Sequence, residues 1–88
     1  MMNKLFTENA WQDYLWLLKN DRRALKRVNL LLQDISRTPF SGIGKPESLH
    51  GDFTGYWSRR VNEKDRLVYA ADEKTITILA CRTHYGDK

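Results

Sequence analysis

Cysteine occurs once in these 88 residues, and proline and histidine twice each. The lone Cys81 excludes an internal disulfide, and His50 and His84 stand in no Cys/His spacing of a zinc site. The thiol is expected to be a small buried hydrophobe in a strand. Apolar runs such as residues 15–18 fall far short of the ~20 residues that cross a bilayer, and residues 1–7 lack the apolar stretch of a signal peptide. A protein of the reducing cytoplasm is expected. Also missing are paired carboxylates at metal-binding spacing, a Ser/His/Asp arrangement, and a glycine-rich phosphate loop opening a helix. The run Gly42-Ile43-Gly44-Lys45-Pro46 leads into loop and strand instead. These absences argue against metal-assisted hydrolysis and serine-type catalysis, and no cofactor is expected.

What is present suits one small core. Hydrophobic residues make up 41% of the chain and aromatics 11%, so residues 1–88 are expected to form a single domain. The net charge of +4 permits an anionic partner without identifying one. Residues 1–44 hold seven Lys and Arg against four Asp and Glu; residues 45–88 hold eight against seven. The arginines of the second half must therefore act as a local cluster.

Periodicity orders the chain. Residues 4–7 read as a short edge strand. Beyond Thr7, a suitable N-cap, the residues Trp11, Tyr14, Leu15 and Leu18 recur at helical spacing. Asn20 or Asp21 caps a second helix, with Ala24, Val28, Leu31, Leu32 and Ile35 on one face and Arg22, Arg23, Lys26 and Arg27 in its first half. Cations there oppose the helix dipole, so a solvated face is expected, with docking on phosphate backbone as the alternative. Thr38-Pro39 ends the helices, and glycines and Pro46 keep the chain irregular to about residue 50. That loop carries Lys45, Glu47 and His50. Residues 56–61, 66–71 and 75–83 then read as strands of an antiparallel meander. The expected class is α+β: an N-terminal helical hairpin on one face of a small, mainly antiparallel sheet, the other face open to ligand.

One set of residues matches the demands of cutting RNA without a metal. A base must take the 2′-hydroxyl proton, cations must stabilise the crowded phosphate, and an acid must protonate the departing 5′-oxygen. Glu47 suits the base, His84 the acid, and Arg60 and Arg66 the phosphate, which a planar guanidinium grips through paired hydrogen bonds. Strand parity puts Arg60 with Ser58 on the open face, while Arg59 points the other way, toward an acid. Arg66, Val68 and Ala70 share a face unless a bulge shifts the register. His84 and Tyr85 can serve one site only if the strand ends by Thr83 or His84. Tyr85 could then stack on a base or join the proton-transfer network.

Arg37-Thr38-Pro39-Phe40, Gly42-Ile43-Gly44-Lys45-Pro46-Glu47, Gly55-Tyr56-Trp57-Ser58-Arg59-Arg60, Asp65-Arg66-Leu67-Val68-Tyr69 and Cys81-Arg82-Thr83-His84-Tyr85 together closely resemble the YoeB toxins of the RelE/ParE superfamily. The resemblance implies a RelE-like fold and a type II toxin that enters the ribosomal A site and cleaves mRNA without a metal. It also implies a YefM-type antitoxin and a homodimer. Glu47 matches the general base, His84 the general acid, Arg66 the stabiliser of the transition state and Tyr85 the tyrosine that usually closes the chain. Arg60 matches a phosphate-contacting arginine, and Lys45 and His50 of the preceding loop are the further substrate-binding candidates. His50 stands where a lysine is common and is charged only when protonated, and Gly86-Asp87-Lys88 extend past the usual terminal tyrosine. A ParE-like toxin against a protein target and a non-catalytic RNA-binding module are the alternatives.

Overall fold

The structure, a computed structural model, describes residues 2–83. Strand β1 (Asn3–Phe6) leads into helices α1 (Glu8–Asn20) and α2 (Arg22–Arg37), followed by β2 (Glu47–Ser48), β3 (Trp57–Arg60), β4 (Arg66–Ala71) and β5 (Thr75–Thr83). A single 3-10 turn, Gly51–Phe53, joins β2 to β3. The sheet order is β1-β5-β4-β3-β2. The meander β3–β4–β5 is antiparallel as expected, whereas β1 lies parallel to β5, making the sheet mixed. The loop expected to stay irregular to residue 50 contains the two-residue β2, which pairs with β3 at the sheet edge.

Both helices are capped by the residues their sequences offer. Thr7 Oγ1 accepts from Ala10 N at 3.1 Å. Asp21 donates its N–H to Leu17 O, closing α1, and accepts from Ala24 N at 3.1 Å, opening α2. One residue thus makes the hairpin turn. The face of α2 named from periodicity is the buried one: Val28, Leu31 and Ile35 are wholly inside, and each such aliphatic side chain contributes about 1.5–3 kcal/mol. On α1 the apolar stripe that marks the helix is not the stripe it buries. Ala10 and Leu17 point inward, while Trp11, Leu15 and Leu18 remain exposed.

The reason lies in how α1 is bolted to β5. Thr7 N donates to Ile78 O and Thr7 Oγ1 to Leu79 O, and Asp13 Oδ2 accepts from Cys81 N at 3.0 Å and Arg82 N at 3.2 Å. The β4–β5 register shifts beside Val68, the irregularity that parity alone left open. Asp13 satisfies amides at this stretch of β5, and that contact fixes the rotation of α1. Arg82 lies 3.5 Å over the Trp16 ring, a cation–π contact on the same side.

Cys81 is fully buried against α1, its Sγ 3.8 Å from Ala10 O. Burial, reinforced by the nearby Asp13 carboxylate, pushes its thiol up to about 12. The thiolate is what reacts. Native protein is therefore expected to resist a thiol-directed reagent that labels it fully in urea; equal labelling rates in both states would contradict the burial.

The core also holds a charge. Arg59 is wholly buried, as is most of Asp34, and the two meet at 2.7 Å between Nη1 and Oδ2. Arg59 Nη1 also donates to Ile43 O, Nη2 to Thr38 O and Ser41 O at 2.6 and 2.7 Å, and Nε to Tyr69 Oη at 3.1 Å. Tyr69 passes its own hydrogen to Pro39 O at 2.6 Å. Asp34 Oδ2 accepts in addition from Ile43 N. Arg59 does point away from the open face toward an acid, which is Asp34 on α2.

In the basic run of α2, Arg27 is half-buried and the other three cations are exposed, which a solvated face and a phosphate-docking face share. Arg22, Arg23 and Lys26 are exposed, and Arg22 Nε donates to Leu18 O in the last turn of α1, where the dipole favours a cation.

Candidate active site

The helices cover the sheet face that carries Leu67, Tyr69, Ile76 and Ile78. Directly opposed residues of an antiparallel pair share a face, so Glu47, Ser58 and Val68 lie together on the other side, with Arg60 and Arg66 next along the strands. Strand β2 is what brings Glu47 there. Its register, Glu47 opposite Ser58, carries the carboxylate across β3 to the arginine of β4.

Glu47 Oε1 accepts from Arg66 Nη2 at 2.9 Å, and Arg66 Nε donates to Ser58 Oγ at 3.0 Å. The ion pair is lopsided in exposure: the Glu47 side chain is 65% accessible and that of Arg66 only 14%. Among the described residues the second Glu47 oxygen has no hydrogen-bond donor. The guanidinium is thus seated in the sheet by Ser58, while the carboxylate stands on the surface with its second oxygen unbonded among the described residues. Arg60 is exposed, and its Cα is the register partner of Arg66. Its N–H donates to Gly44 O at 2.7 Å, drawing the preceding loop against β3.

Lys45 follows that anchor directly, exposed and in the left-handed region with φ 53°. His50 is exposed at the start of the 3-10 turn, where its side chain makes no cap bond. Lys45 and Glu47 therefore border Arg60 and Arg66 on one edge. His50 belongs to the turn beyond β2. His84 and Tyr85 lie outside the described residues; Thr83, the residue before them, is the register partner of Arg66. Among the described residues no three His, Cys, Asp or Glu side chains gather where a metal would bind.

Ser58 was missed as a site residue. The signal was present: two residues before Arg60 on a strand is the same face, and a small hydroxyl is what an arginine crossing that strand can use. Chemically, the edge offers two arginines on paired strands beside a carboxylate.

Residues 6–85 match the family model described as the YoeB-like toxin of bacterial type II toxin–antitoxin systems. A toxin YoeB of Synechocystis is 52% identical over 84 residues, spanning 96% of this chain and 98% of its own. The fold matches the YoeB dimer of Staphylococcus aureus with a TM-score of 0.91 at 44% identity, over 96% of this chain and 98% of that one. It matches the toxin in the heterotetrameric YoeB–YefM complex of the same organism with a TM-score of 0.89 at 43% identity, over 97% and 99%. The α+β architecture is the RelE-like one of these structures.

Proposed function

From the premise that this chain belongs to the YoeB-like toxins of type II toxin–antitoxin systems, we propose that it is a metal-independent endoribonuclease that cleaves mRNA in the ribosomal A site. The observation that carries the reading is the 2.9 Å contact between Glu47 and Arg66 on the open face. Glu47 takes the proton of a 2′-hydroxyl as its oxygen attacks the adjacent phosphorus. Arg66 and Arg60 bear the charge that accumulates on the phosphate oxygens. His84 gives a proton to the departing 5′-oxygen, leaving a 2′,3′-cyclic phosphate and a 5′-hydroxyl. Tyr85 completes the catalytic set, and Lys45 and His50 bind the strand on either side.

The experiment is primer extension on mRNA-programmed ribosomes with EDTA present. Cleavage is expected in the wild type, and His84→Gln is expected to lower its rate about 10²–10⁴-fold, the worth of a positioned acid. Binding of RNA without product would mark a binding module, and inhibition of a protein target without cleavage a ParE-like toxin. Either result, or full activity in His84→Gln, would count against the reading.

The partners follow the relatives. With YoeB–YefM assembling as a heterotetramer and YoeB as a dimer in Staphylococcus aureus, a YefM-type antitoxin and a second copy of this chain are the expected partners here. A translating ribosome as target places the activity in the cytoplasm.

A further inference from the structure

Residues 38–44 cross from α2 toward β2 without regular structure, and apolar burial holds them only in part: the Phe40 ring lies 5.0 Å from that of Trp57 yet is 52% exposed, and Ile43 is 41% exposed. Polar bonds complete the hold. The carbonyls of Thr38, Ser41 and Ile43 converge on the Arg59 guanidinium, and that of Pro39 on the Tyr69 hydroxyl, itself bonded to Arg59. The strap is drawn so close that a Cβ on Gly42 would land on Asp34 Oδ2, and one on Gly44 would come within 2.8 Å of Leu31 Cδ2 and 3.1 Å of Arg59 Cβ. Gly44 then bonds to Arg60, and three residues later Glu47 meets Arg66.

The geometry points to Arg59 and Tyr69 as positioning residues for the cleavage reaction: they strap residues 38–44 to the sheet, and the strap sets where Glu47 stands against Arg66. The inference rests on the cleavage reading above. A buried ion pair is a poor device for stability alone, since apolar side chains of similar volume often serve as well or better. It is a good device for fixing backbone, because five donors in one rigid plane fix several carbonyls at once. Placement matters at this site: a shift of about 1 Å in a reacting group can cost 10²-fold in rate.

Tyr69→Phe removes one hydroxyl between Arg59 and Pro39, and Arg59→Lys keeps the charge opposite Asp34 while losing the fork. In single-turnover cleavage on programmed ribosomes, both are expected to lower the saturating rate by about 10–100-fold while half-saturation stays within about twofold. The Arg66 Nε–H resonance, on the opposite sheet face from the Tyr69 hydroxyl, should shift and exchange faster in Tyr69→Phe. Val28→Ala, a buried change on α2 away from the strap, serves as the stability control and is expected to keep the wild-type rate and Arg66 resonance. Equal rate losses in Tyr69→Phe and Val28→Ala, or an Arg66 resonance unmoved in Tyr69→Phe, would overturn the inference. A wild type that cuts nothing sinks the cleavage reading instead, and the Arg66 resonance still decides whether the strap positions this pair.

Discussion

Glu47→Gln is expected to lower mRNA cleavage by about 10²–10⁴-fold while leaving the fold intact, the worth of a positioned general base. The substitution suits the geometry. Glutamine keeps the side-chain length and the carbonyl oxygen that accepts from Arg66, so the pairing at the sheet edge survives in weakened, uncharged form. What is lost is the basicity of the free oxygen. The Glu47 side chain is mostly exposed, but Arg66 is only 14% accessible and loses its countercharge, so urea midpoints should fall modestly while the fold persists. In the proposed reaction Glu47 and Arg66 act on one phosphate, so combining Glu47→Gln with Arg66→Lys should cost far less than the product of the single losses. Single-turnover rates of the three variants check this. A Glu47→Gln enzyme within threefold of wild type would remove Glu47 from the chemistry.

Asp34→Ala is expected to be the most damaging substitution to stability, at about 3–5 kcal/mol, because it strands a buried guanidinium without its countercharge. Small domains have only about 5–15 kcal/mol in total, so the variant should be near unfolding at 37 °C. The same pair predicts the response to acid. The Arg59 hydrogen bond, then the Ile43 amide, hold the Asp34 carboxyl below its ordinary value of 3.8. A carboxyl depressed by folding contributes fully above its unfolded pKa, and the contribution is lost as pH falls through the folded one. Urea unfolding at pH 7 and about pH 3 should therefore show a decline in wild type that is shallower in Asp34→Asn. Parallel declines in the two proteins would assign acid sensitivity elsewhere.

What was legible in the sequence was what depends on local pattern. Thr7 and Asp21 cap helices because short side-chain acceptors do so wherever a helix begins. The inward face of α2 follows a 3.6-residue period over sixteen residues, and β4 and β5 run over the ranges that alternation and turn residues indicated. Parity put Arg59 and Arg60 on opposite faces correctly. The rest depends on contacts between distant residues. Strand β2 is two residues long, too short to show any period, so Glu47 looked like a loop carboxylate. Asp34 is 25 positions from Arg59, and nothing local marks it as that arginine's partner. The buried face of α1 was hidden because its rotation is set by bonds to β5, about seventy positions later. The Glu47–Arg66 half of the site could thus be inferred from chemistry, and its placement needed the sheet.

The bolting of the first strand and helix to β5 bears on how the chain acquires its structure. Thr7 contacts Leu79 across 72 positions, and among the described residues β1 pairs with β5 alone. Segments emerge from a ribosome amino end first, and long loops must close before such contacts reward the chain. A nascent chain therefore presents β1 and both helices before the strand they dock on exists. Folding should be late and slow for a domain this small, with the apolar faces of both helices uncovered until β5 arrives.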